Sequence, residues 1–189
     1  MAIGGNVRND FTGGSVSIFV SGSNSDRNQL FGNRFLGQTG TTAIDLSDTG
    51  NPNGINPNDL NDVDTGANEG QNTPLLTSGS AGDSSITIDG VLDVPTGIAT
   101  PVVYRLAFYR SQSCSDSGGA LGGRRGEKFI ESIEAPFTSN SENFSVVLDE
   151  LPLPGFITAT ATSPSGSTSE ISNCLVAPLP ENLFADGFE

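Results

Sequence analysis

The stretch that decides the fold runs from Ala43 to Pro74, AIDLSDTGNPNGINPNDLNDVDTGANEGQNTP. A short apolar strand, Ala43-Ile44-Asp45-Leu46, gives way to a loop in which Asp, Asn, Gly and Pro dominate. Such residues close turns through their own side chains or forbid a continued strand, so the loop separates two regimes. Before it the chain repeats itself, and after it apolar and polar residues alternate.

Asn9-Asp10-Phe11 is echoed by Asn33-Arg34-Phe35 24 residues later, and Ile18-Phe19-Val20 by Ile44-Asp45-Leu46 26 residues later. A period in this range is about one coil of a right-handed parallel β-helix, whose short strands stack with Asn and Gly in the turns. The spacing predicts Val7, Phe11, Ile18 and Val20 beneath Leu30, Phe35, Ile44 and Leu46 in a narrow interior. Chance similarity among Gly- and Asn-rich loops is the competing explanation. Coils bury their apolar faces only against one another, usually at least about three deep. Two coils would therefore leave an open N-terminal strand edge. The expectation is that this chain is the C-terminal piece of a longer protein, or that it associates through that edge.

From about Leu75 the pattern turns to short alternating strands between turn clusters. Ser84–Gly90, Val102–Tyr109, Phe129–Ile133, Phe144–Leu148, Phe156–Thr162 and Ser169–Val176 read as strands, with one more near Leu75. Seven strands in ~100 residues is the count of an immunoglobulin-like sandwich. Ile157, Ala159 and Ala161 are expected in the core, with Thr158, Thr160 and Thr162 facing out. The fold class is thus all-β, a short right-handed parallel β-helix followed by an immunoglobulin-like β-sandwich. The divisions are 1–48 coils, 49–74 junction loop, 75–177 sandwich, expected to fold alone, and 178–189 flexible tail. Helix should be nearly absent from a chain with 24 Gly and 11 Pro.

The formal net charge of −14, from 8 Lys+Arg against 22 Asp+Glu, is spread over both halves. Nucleic acid is excluded as a partner, because binding it needs a basic stripe to neutralise phosphates. The one basic cluster, Arg124, Arg125 and Lys128, reads as a solvated hairpin tip. No apolar run is long enough for a membrane span, and MAIGGNVRND has neither part of a signal peptide. Cys114 and Cys174 flank what read as sandwich strands. They read as one disulfide of an exported protein, the alternative being two unrelated thiols.

Several motifs, in order, carry a family resemblance. They are Gly32-Asn33-Arg34-Phe35, Ala43-Ile44-Asp45-Leu46, Pro57-Asn58-Asp59, Asp62-Val63-Asp64-Thr65-Gly66 and Gln71-Asn72-Thr73-Pro74. The strand of Phe108 leading to Cys114 follows, and then FITATATSPSGSTSE from Phe156 to Glu170. In this order the chain resembles the C-terminal part of bacterial right-handed parallel β-helix surface proteins, the group often carrying an N-terminal CSLREA signature. The resemblance implies a secreted or surface-attached β-helix closed by an immunoglobulin-like module, in a family whose activity is mostly unassigned. The tail Leu183–Glu189 is similar to a short segment ending some exported proteins of Gram-negative bacteria; a frayed acidic terminus is the alternative.

The junction loop holds the candidate site. Calcium takes several oxygen ligands from a flexible loop, and Asp59, Asp62, Asp64 and Asn68 could converge on one ion with Asp45 or Asp48 nearby. The twelve-residue EF-hand pattern fails, since Gly66 stands where the third side-chain ligand belongs. Asx turns without an ion are the alternative. Asp116-Ser117-Gly118-Gly119 is like the nucleophile segment of trypsin-like proteases, but a chain without histidine has no such base for the serine. The same lack, with only two cysteines, excludes a structural zinc set.

The functional expectation is a non-catalytic extracellular or cell-surface module for structure or adhesion, with glycans or other surface proteins as partners. The alternative is the accessory end of a β-helix polysaccharide-degrading enzyme, a lyase or glycosidase. Such catalysis needs carboxylates or calcium with a base along a groove. The coils here offer Asp10, Asp26, Arg27, Arg34 and Asp45.

Overall fold

The computed structural model describes residues 9–95, 101–116, 123–150 and 153–180. Val7, Ser117-Gly118-Gly119 and the tail Leu183–Glu189 lie outside the described residues. The protein is all-β, and a 3-10 turn at Ala67–Gly70 is the one helical element among the described residues.

Four short strands come first: β1 (Asp10–Thr12), β2 (Ile18–Ser21), β3 (Arg34–Leu36) and β4 (Ile44–Ser47). β1 pairs in parallel with β3, Phe11 opposite Phe35, and β2 pairs in parallel with β4, Ile18 opposite Ile44. These are the offsets of the sequence repeat. Parallel register sets equivalent residues over one another: the Phe11 and Phe35 rings stack 5.7 Å apart. Likewise Asn9 Nδ2 donates to Asn33 Oδ1 at 3.0 Å. Ile18, Val20, Leu30, Phe35, Ile44 and Leu46 form a small core, to which Ile171 is added from far along the chain.

Seven strands follow the junction loop: β5 (Leu75–Ala81), β6 (Ile86–Asp93), β7 (Val102–Ser111), β8 (Lys128–Phe137), β9 (Ser141–Leu148), β10 (Phe156–Thr162) and β11 (Leu175–Val176). They form two antiparallel sheets, in the orders β5-β6-β9 and β11-β10-β7-β8. Inward residues of both sheets, among them Ile88, Leu92, Leu106, Phe108, Leu148 and Ile157, share one core. Burial of each such side chain is worth about 1.5–3 kcal/mol. Cys114 and Cys174 are joined in a disulfide.

The second face of the β7-β10 pair departs from the sequence expectation. Thr158, Thr160 and Thr162 do not face solvent; they are buried, as are Ala107 and Tyr109 on the same side of the sheet. The reason is that Gly32, Phe35 of β3 and the segment Arg125–Gly126 lie against this face. Tyr109 sits with its ring 6.3 Å from Phe35, and its hydroxyl accepts from Gly32 N at 3.1 Å. Thr158 Oγ1 donates to the Arg125 carbonyl at 2.8 Å. A Cβ on Gly126 would lie 2.6 Å from the Tyr109 ring, so only glycine lets this segment approach.

Of the basic cluster, Lys128 is exposed, but Arg124 and Arg125 are not at a solvated tip. Arg124 lies beside Thr42 in a parallel bridge. Its carbonyl accepts from Ala43 N at 2.9 Å and its N–H donates to the Thr41 carbonyl at 2.8 Å. Arg125 is buried, and Lys128 pairs with Glu150 at 2.8 Å. One turn on, Phe35 N donates to the Gly126 carbonyl at 2.8 Å. The segment therefore serves as a backbone partner for the far side of the early strands.

The expected strand Ser169–Val176 is regular only at Leu175–Val176. Its earlier part turns its polar groups toward the first half. Glu170 Oε1 accepts from Leu46 N and its Oε2 from Asn56 N, each at 2.9 Å. The carboxyl group of Glu170 thus stands where a further strand would have satisfied β4.

Candidate metal centre

The junction loop is folded by its own carboxylates and amides. Asp45 Oδ2 accepts from Gly54 N at 2.8 Å, and Asp48 Oδ1 from Ala67 N at 2.8 Å. Asp59 Oδ2 takes the N–H groups of Val63 and Asp64, both at 3.0 Å. Asp62 accepts from Asn72 N at 2.8 Å and from Gln71 Nε2 at 3.0 Å. These bonds replace a strand ladder, and they accommodate positive φ at Asn61 and Asp62.

The folding brings Asp59, Asp62 and Asp64 together, one oxygen from each lying within 4.8 Å of the others. Oxygens on opposite sides of a calcium ion, each about 2.3–2.6 Å away, are about 5 Å apart. The set is therefore compatible in size with one ion, whose remaining ligands would be carbonyls or water. Asp59 Oδ1 is buried without a hydrogen-bond partner among the described residues. Burial, reinforced by the Asp64 and Asp59 charges, pushes the Asp62 carboxyl up to about 7 despite the hydrogen bonds that pull it down. Asp64 is raised by burial and then by Asp59 and Asp48. Carboxylates this close ionise together only at a cost, which a bound cation would offset.

A cleft of about 330 Å³ opens beside the group, with Asp48, Asp59 and Asp64 among its walls. Gly66, which breaks the EF-hand pattern, leaves room for Asp48: a Cβ there would lie 2.9 Å from either oxygen of that carboxylate.

Asn68 is not brought to this group. It is fully buried. Its Oδ1 accepts from Asn28 N at 2.9 Å, and its Nδ2 donates to the carbonyls of Asn28 and Thr168 at 2.9 and 2.8 Å. It ties the loop to both halves of the chain. Gln71 and Asn72, which brace Asp62, were not marked as site residues by the sequence; spacing alone gives no sign of such a contact.

The coil residues considered for carbohydrate chemistry are dispersed. Asp10 pairs with Arg34 at 3.3 Å, and Asp26 Oδ1 accepts from Glu69 N at 3.1 Å. Asp45 is buried on β4. Ser117 lies outside the described residues, while its neighbour Asp116 accepts from Arg124 Nε at 3.0 Å and from Cys174 N at 3.1 Å.

No protein-family profile matches the chain, and no curated protein sequence does. No helix among the described residues is long and apolar enough to cross a membrane.

Proposed function

We propose that this protein is a non-catalytic extracellular or cell-surface module, built as the closing coils of a right-handed parallel β-helix followed by an immunoglobulin-like β-sandwich. In this reading it is akin to the C-terminal part of the CSLREA-type surface proteins. It serves structure and adhesion, in contact with glycans or other surface proteins, and its junction loop takes a calcium ion at Asp59, Asp62 and Asp64.

The observation that carries the reading is the closure of the early parallel strands. Their far side ends on Arg124–Gly126 and Glu170, groups from the second half, instead of on open backbone. A parallel stack needs such an end to stay soluble. The Cys114–Cys174 disulfide is compatible with an oxidising compartment. Calcium finds support in the three converging carboxylates.

Incubating the purified chain with neutral and acidic polysaccharides, with and without calcium, tests the assignment. Binding without new reducing ends or unsaturated products is expected. Turnover of any of them would overturn the non-catalytic reading.

A further inference from the structure

The outward face of β7 is covered unevenly. Its residues pass from Tyr109 and Ala107, which are buried, through the half-buried Arg105 to Val103, which is 42 % exposed. Where the cover ends, a cleft of about 200 Å³ opens between Gln29, the strands β7, β8 and β10 and the turn that follows β10. Strand register builds its floor, since Glu134 of β8 and Thr162 of β10 stand on either side of Arg105. Val103 and Pro164 supply the apolar part of its wall.

The polar groups are fixed by contacts that leave atoms to spare. The Arg105 guanidinium lies over the Phe31 ring at 4.5 Å and donates through Nε to Glu134 Oε1 at 2.8 Å. Its two Nη groups and Glu134 Oε2 have no hydrogen-bond partner among the described residues. Gln29 makes no side-chain hydrogen bond among the described residues either, although its amide sits against the turn: a Cβ on Gly166 would lie 3.1 Å from Gln29 Nε2. That turn is closed by Gly166 N donating to the Ser163 carbonyl and Ser163 N to the Ser167 carbonyl, each at 2.9 Å. The cleft thus offers donors from Arg105, an acceptor from Glu134 and both kinds from Gln29.

Arg105 and Glu134 neutralise each other, so neither an anion nor a cation finds an uncompensated charge here. A hydroxyl both donates and accepts, and neighbouring hydroxyls on a sugar ring would engage Arg105 Nη and Glu134 Oε2, or the two ends of the Gln29 amide, in pairs. The C–H face of such a ring suits Val103 and Pro164. The volume is below the about 300–1,000 Å³ of pockets that enclose a drug-sized ligand, so a single ring fills it. We infer that this cleft binds one neutral pyranose ring of a glycan, with Gln29, Arg105 and Glu134 as its polar contacts. The inference rests on the glycan contact proposed above and gives it a place. None of Asp59, Asp62 and Asp64 lines the cleft, so binding here does not require calcium.

The test is NMR titration of the intact, oxidised, isotope-labelled chain, in chelator, with the methyl glycosides of mannose, glucose and galactose and separately with methyl glucuronide. At least one neutral glycoside should shift the Gln29 amide and Arg105 Nε signals. Loss of a hydrogen-bonding side chain weakens binding by roughly two- to tenfold. That is expected of Gln29→Ala, with an unchanged melting temperature, and of Arg105→Lys, which keeps the charge but not the planar fork. Asp83→Asn, outside the cleft, should bind as the natural chain does. No shift of these signals with any neutral glycoside, tighter binding of the glucuronide than of every neutral glycoside, or equal binding by all three variants would overturn the proposal. A neutral polysaccharide that binds the natural chain and both cleft variants alike would overturn this site alone, whereas a natural chain that binds no glycan would overturn the wider reading with it.

Discussion

At the residue scale, the buried Glu170 has the clearest consequence. It is 1 % exposed, and burial lifts its carboxyl to about 8 even though Leu46 N and Asn56 N favour the anion; Asp45 lifts it further and Arg124 lowers it. The unfolded chain releases this proton near pH 4.5, so between about 4.5 and 8 the native state holds more protons than the unfolded one. Stability from this group is present at the acid end of that window and is lost as pH rises through it. Each pH unit across the window corresponds to about 1.4 kcal/mol, so the loss is on the order of a few kcal/mol. Glu170→Gln should flatten the slope of stability against pH between 5 and 8, whatever it does to absolute stability. Urea unfolding across that range checks this, and an undiminished slope would show that Glu170 is ionised in the fold. A weaker slope of the same sign should persist, because Asp62 is raised to about 7 as well.

At the element scale, the sequence was most legible where periodicity sets geometry. Asn33-Arg34-Phe35 and Ile44-Asp45-Leu46 revealed both parallel pairings, since in-register stacking repeats residue type. Strands β5 to β10 could be read from alternation and turn residues. Thr158, Thr160 and Thr162 misled because an alternating strand states which face is apolar, not whether the polar face meets water. Likewise Asn68 looked like a ligand because loop Asn residues often are; its partners Asn28 and Thr168 lie 40 and 100 residues away. Asp59, Asp62 and Asp64 converge because their spacing is local. Calcium must displace the Asp62 proton to bind, so its affinity should fall as pH drops below about 7. Calorimetric titration at pH 6 and pH 8 checks this, beside the chain carrying Asp59→Asn, Asp62→Asn and Asp64→Asn together. Heat that is absent from the natural chain, or that survives in the triple variant, would remove calcium from the loop.

At the scale of the whole molecule, the sheet containing β7 and β10 is covered on both faces, by the opposing sheet on one side and by Gly32, Phe35 and the segment Arg125–Gly126 on the other. That arrangement changes the expectation that 75–177 folds alone. Removing the first 74 residues would uncover Tyr109 where Gly32 and Phe35 contact it, while removing the second half would leave Leu46 N and Ala43 N without their partners Glu170 and Arg124. Each half thus supplies groups that the other needs. The central claim is that the second half is the structural end of the first, so that the two unfold together. Scanning calorimetry of the intact oxidised chain tests it most directly. One transition, with calorimetric and van't Hoff enthalpies equal, is the expected result; two separate transitions would contradict it.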